Sequence, residues 1–183
     1  MKSQHFFKTF LAGSAMLVNP FANAASMTNA EFYQMKDQIT VQYKSAKSAC
    51  ASMKDNARDV CVNEAKSLDK VARAELQYKY SGKPADQTKV VIAKADGAYS
   101  VAKEKCDDRA GNDKDVCVKE AKAVHTKAVA DAKANREIGE ARKDSANEKR
   151  DADYSVAAEK CDSQAGEAKS RCIAAAKAKF GKS

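Results

Sequence analysis

Six cysteines are the residues of this chain whose type and spacing could do chemistry: Cys50, Cys61, Cys106, Cys117, Cys161 and Cys172. They form three pairs, each separated by 11 positions, and the pairs recur at offsets of 56 and 55. Three kinds of chemistry compete for such a set. Tetrahedral zinc takes closely spaced Cys or His pairs, and the one His past the N-terminal segment, His125, lies eight residues beyond Cys117 and is not repeated. Dithiol redox catalysis uses Cys-x-x-Cys, which is absent from the sequence. Structural disulfides fit best, paired Cys50–Cys61, Cys106–Cys117 and Cys161–Cys172. Closing a loop of about 11 residues stabilises a folded unit by roughly 3 kcal/mol in the chain-entropy account.

The other chemically capable residues read as structural. Tyr43, Tyr99 and Tyr154 hold one position in each repeat; they read as seam residues, each hydroxyl reaching the wet edge. His125 reads as a rim or surface histidine beside the seam residue Val124. No Gly-rich phosphate loop, nucleophile elbow or His-Asp-Ser set occurs. The expectation is therefore no catalysis, no cofactor and no metal.

The elements that place these residues follow from an internal repeat, which fixes architecture before anything else. The approach to each first cysteine reads Tyr43-Lys-Ser-Ala-Lys-Ser-Ala-Cys50, Tyr99-Ser-Val-Ala-Lys-Glu-Lys-Cys106 and Tyr154-Ser-Val-Ala-Ala-Glu-Lys-Cys161. After each second cysteine come Val62-Asn-Glu-Ala-Lys66, Val118-Lys-Glu-Ala-Lys122 and Ile173-Ala-Ala-Ala-Lys177. Gly111 and Gly166 stand five residues past the first cysteine, with Asp55-Asn56 in their place in the first unit. Such residues accept the left-handed conformation that ends a helix, and Asn56, Asn112 or Asp113 would cap the next. Each unit is thus helix, turn, helix.

Steps of four and three along the arms give a coiled-coil-like stripe. Unit one offers Phe32, Met35, Ile39, Tyr43 and Ala46 on one arm, and Ala65, Leu68, Ala72 and Leu76 on the other. Unit two offers Ile92, Ala95, Tyr99 and Ala102, then Ala121, Val124, Ala128 and Asp131 or Ala132. This phase sets Tyr43 opposite Leu68 and Tyr99 opposite Val124. Ser81-Gly82-Lys83-Pro84 reads as a break between units one and two, whereas residues 113–165 contain only Gly139. That stretch is compatible with one helix of about 50 residues, roughly 75 Å long. The expected fold is all-α: elongated tandem antiparallel hairpins over residues 25–81, 85–138 and 139–183, the last a shortened cap, with no enclosed pocket.

The first 24 residues supply the compartment. Lys2 and Lys8 flank a short basic start, an apolar run follows from Thr9 to Val18, and Ala22-Asn-Ala24 closes it. This is the pattern of a cleavable signal peptide, cut after Ala24, and too short to span a bilayer. Its removal takes two lysines and no acid, so the net charge falls from +8 to +6. Leu, Ile, Val and Phe are then only 20 of 159 residues, against 32 Ala. So little bulky core excludes an ordinary globular enzyme, while Ala, Lys, Glu and Arg favour long helices.

The unit Tyr-Ser-Val-Ala-x-Glu-Lys-Cys-Asp, with Val-Cys-Val-Lys-Glu-Ala-Lys after it, resembles small secreted proteobacterial Ala/Lys-rich helical repeat proteins. In composition residues 30–180 are TolA-like, similar to the helical middle of the periplasm-spanning envelope protein. The six cysteines and the cleavable signal depart from that protein. The resemblance implies a periplasmic address and a structural or interaction role, and it carries no site residue across. The expected partners are anionic envelope components or an acidic periplasmic protein, not nucleic acid, because acids are mixed among the bases. A stress or chaperone-like role holding unfolded clients is the alternative, and Val90-Val91-Ile92 is the one cluster that could begin an apolar patch.

Overall fold

The computed structural model describes residues 27–182. The expected signal peptide, with its cleavage after Ala24, lies outside the described residues. Five helices follow one another: α1 Asn29–Ala49, α2 Asp55–Ser81, α3 Pro84–Cys106, α4 Gly111–Cys161 and α5 Gly166–Phe180. Local chemistry sets their ends. Thr28 and Glu31 open α1 with reciprocal backbone caps, Thr28 N–H donating to Glu31 Oε2 at 2.8 Å and Glu31 N–H to Thr28 Oγ1 at 3.3 Å, which satisfies two orphan donors at once. Gly82 closes α2 at φ +62°, and Pro84 opens α3 at a position where its missing N–H costs nothing.

The fold is all-α, and all three disulfides pair as the spacing predicts, Cys50–Cys61, Cys106–Cys117 and Cys161–Cys172. The turns differ in detail from expectation. Asp55, Gly111 and Gly166 are left-handed, at φ +50°, +55° and +58°, but each opens the second helix instead of closing the first. The following asparagine is then inside the helix and cannot cap it. Asn56 instead donates its amide to the Glu104 carbonyl at 2.8 Å, across to α3.

That cross-link belongs to a larger correction. Ser81–Pro84 is a tight turn and not a separator of units: α2 folds straight back on α3, and theirs is the most extensive interface in the chain. Ser100 donates to Asn63 at 3.0 Å along it, and Gly97 lets the backbones close in. A Cβ built there would meet Ser67 Oγ at 1.8 Å and Ser67 Cβ at 2.9 Å. Each helix touches only its neighbours in sequence. Ala65 faces α1 and Ser67 faces α3, about 200° apart around α2, so α1 to α4 form a nearly flat single layer.

A single layer buries little. Among the described residues the hydrophobic core is nine side chains, and the largest that are fully buried are Cys50, Cys106 and Cys161. The disulfides therefore form the core of each turn as well as tying it. The first arm of unit one packs as read, with Ile39 buried and Phe32, Met35, Tyr43 and Ala46 half-buried.

The second arms are displaced by one residue. Leu68 and Val124, assigned to the seam, are 67% and 68% exposed. The inward positions are Asp69 and His125, and the third unit carries Phe180 at the same repeat offset. From Ala65 a step of three or of four lands near the stripe, and α2 takes the step of four because its two flanks serve two neighbours. Leu68 is left on the open face between them.

α4 is one continuous helix of 51 residues, about 76 Å long. Counting from the disulfides, Pro84 comes level with residue 139 and Phe180 with residue 153. Between them α4 has no antiparallel partner among the described residues, and residues 137–150 are all exposed apart from half-buried Asn147.

Candidate interaction surfaces

The residues singled out by their chemistry are drawn into structural pairs. Tyr99 stacks on His125 with ring centroids 5.2 Å apart, and the imidazole Nε2 meets Asp96 Oδ1 at 2.5 Å. His125 is thus a seam residue bridging α3 and α4, not a rim residue. Tyr154 meets Phe180 edge-on at 6.5 Å. Asp69 pairs with Arg73 at 2.9 Å, as its i,i+4 spacing predicts, and Arg73 reaches on to Thr40 of α1 at 3.0 Å. The Asp69 carboxylate holds the Arg73 guanidinium above its ordinary pKa. Glu75 pairs with Lys94 of α3 at 2.7 Å.

The α2–α3 turn is closed by a buried carboxylate. Asp86 accepts from Lys89 at 2.8 Å and from Ser81 at 2.6 Å, and these two bonds hold it below the usual carboxylate range, Lys89 contributing most. Asp107 raises Lys114 in the same way at the next turn. These are ties between neighbouring helices, with every buried polar side-chain atom of the described residues satisfied. Among the described residues no group of three or more His, Cys, Asp or Glu is placed to hold a metal ion.

What the layer leaves free are its two faces. On one, α2 and α3 form an open groove of about 660 Å³, with Leu68, Val71, Ala98 and Val101 along its floor and Glu64, Lys94 and Lys105 on its rim. Two ion pairs cross it, Lys94–Glu75 at 2.7 Å and Lys105–Glu64 at 3.1 Å, every member about half exposed. Sequence reading missed this groove. Of Val90-Val91-Ile92, Val90 is buried, Ile92 half-buried and Val91 alone exposed, so that cluster does not make a patch. The missed signal was Gly97, a glycine inside a helix, which marks a packing reason.

On the opposite face the exposed side chains are mainly basic. Lys66 and Lys70 of α2, Lys89 and Lys103 of α3, and Lys122 of α4 are all exposed, and Lys66 and Lys103 lie roughly 160° or more around their helices from Leu68 and Val101 of the groove. Asp59, Asp96, Asp107 and Asp115 interrupt them. Among the described residues no helix is long and apolar enough to cross a membrane. Three disulfides with no free cysteine point to an oxidising, extracytoplasmic compartment. No family model, curated protein or solved structure matches the chain.

Proposed function

We propose that this chain is a non-catalytic, exported structural or interaction protein of the cell envelope, addressed to the periplasm by a signal peptide cut after Ala24. Its lysine-rich face docks on an anionic envelope component. One observation carries the reading: in a single layer of helices almost every side chain is at the surface, and the face away from the groove carries a row of exposed lysines in excess of its carboxylates. A thin layer is a poor scaffold for a reaction that needs water excluded, and a good one for presenting charge over a broad area. The TolA-like composition agrees with an envelope setting.

Binding of this kind is electrostatic and weakens as salt shortens the Debye length below about 8 Å. Pull-down from envelope extract at low and high salt tests it, with Lys66→Glu/Lys70→Glu/Lys103→Glu as the control. The proposal expects a discrete anionic partner at low salt, lost at high salt and lost in the triple variant. Recovery of nothing at either salt contradicts it. A broad set of unfolded clients, insensitive to salt, would instead favour the chaperone-like reading, for which the open apolar groove is the supporting feature.

A further inference from the structure

The groove lies on the face away from the lysines, so an anionic partner does not cover it. Leu68, the most exposed leucine position of the layer, sits in its floor. Helical domains bury such a face by placing a second layer on it, and this chain supplies only one layer from α1 to α4.

The charge pattern of the groove identifies the second layer. Both acids stand on α2, Glu64 and Glu75, and both bases on α3, Lys94 and Lys105, each pair separated by 11 residues. The two salt bridges put the Glu64 carboxylate level with the Lys105 ammonium and the Glu75 carboxylate level with the Lys94 ammonium. Leu68, Val71, Ala98 and Val101 lie between the two pairs. A patch that is acidic on one half and basic on the other is complementary to itself under a suitable two-fold rotation.

We infer that a second copy of this chain covers the groove, related by a two-fold axis that runs parallel to the helices between α2 and α3. This rotation sets α2 over α3 of the other copy. Each Glu64 then faces a second Lys105 and each Glu75 a second Lys94, so every charge gains an opposite neighbour. The two apolar floors, Leu68, Val71, Ala98 and Val101 of each copy, then meet across the interface. The other in-plane axis, perpendicular to the helices, would set Glu64 over Glu75 and Lys94 over Lys105, and like charges reject it. The flat layer has room for such an interface. Four helices spaced about 9 Å apart and about 30 Å long present on the order of 1000 Å², above the roughly 800 Å² per partner of a stable complex.

Sedimentation equilibrium of the purified, disulfide-bonded protein tests the inference, with circular dichroism to show that each variant keeps its helices. The native chain is expected to be a dimer, and Leu68→Glu to weaken association by about 100-fold or more. Glu64→Lys/Glu75→Lys sets eight lysines around one interface and is expected to give monomers. Adding Lys94→Glu/Lys105→Glu restores the opposite pairing and should restore the dimer. A native chain that stays monomeric at roughly millimolar concentration overturns the inference. So does a dimer that survives Leu68→Glu, or a four-fold charge swap that fails to recover it. The inference stands apart from the anionic-surface proposal: the lysine-face triple variant should still dimerise, and Leu68→Glu should still bind anions in a salt-dependent way.

Discussion

The first two hairpins and the third are built from one repeat and held in different ways. In the first two, α2 and α3 add a second interface to the one each hairpin already has, with Gly97 seated on Ser67 and Asp86 closing the turn. Among the described residues the third hairpin has only the pairing of α5 with the end of α4, beyond a stretch of α4 that no other helix covers. One sequence unit thus yields a fused four-helix layer at one end and a tethered hairpin at the other. The difference teaches that the disulfide is a supplement where hairpins pack side by side, and the main constraint where one stands alone.

The largest effect should come from removing the disulfide of the lone hairpin. Cys161→Ser/Cys172→Ser takes away about 3 kcal/mol, and α5 has 15 residues, close to the length at which an isolated helix is marginal in water. Amide exchange of α5 should then accelerate by on the order of 100-fold, while α2 and α3 keep their protection. The matching Cys50→Ser/Cys61→Ser change should lower the stability of the layer yet leave α2 helical, because α3 still holds it.

Next in size is the close approach of α2 and α3. Gly97→Ala places its methyl group 2.9 Å from Ser67 Cβ and should cost about 1–3 kcal/mol by overpacking. In a Ser67→Gly background the obstructing atoms are gone, and the same change should be neutral or stabilising, since alanine is the better helix former by about 1 kcal/mol. Thermal unfolding of the four proteins in this cycle measures it, with no change expected in the exchange of α5.

A smaller effect is expected at the end of the lone hairpin, where Phe180→Ala removes the contact with Tyr154. A loss of about 1 kcal/mol should appear as fraying confined to the last turns of α5, read by amide exchange.

The smallest concerns acid. The Asp86 carboxyl is held below its ordinary value of 3.8 by Lys89 and Ser81. A lowered folded pKa makes the unfolded chain bind the proton first. Its stabilisation of the α2–α3 turn is therefore complete above the ordinary value and is lost as pH falls through the lowered one. Asp86→Asn should flatten the acid limb of the layer's stability below about pH 4 and leave α5 unchanged.

How far this was legible in the sequence depends on which residues carried the signal. The cysteines gave the pairing and the hairpins because equal spacing recurs in three units, and Ala-rich arms without Gly or Pro gave the helices. The seam phase of the second arms was misread because Leu68 and Val124 are apolar and stand where a step of three is allowed. Phe180 held the correction, since it lies 55 and 111 residues beyond His125 and Asp69 and is the one bulky apolar residue at that repeat position. The α2–α3 interface was hidden for a different reason. It is made by Gly97, Ser67, Asn63 and Ser100, which carry no hydrophobic periodicity, and Gly82-Lys83-Pro84 reads equally well as a linker or a tight turn.

Native-state hydrogen exchange in rising denaturant tests most directly the claim that one repeat gives a fused layer and a tethered hairpin. The account predicts two opening units. Amides of α5 and of the adjoining end of α4 should open together at low free energy and with a small denaturant dependence. Those of α2 and α3 should open only with the global transition. A single set of opening free energies and slopes for α2, α3 and α5 would contradict it, because the third hairpin would then share the cooperative unit of the first two.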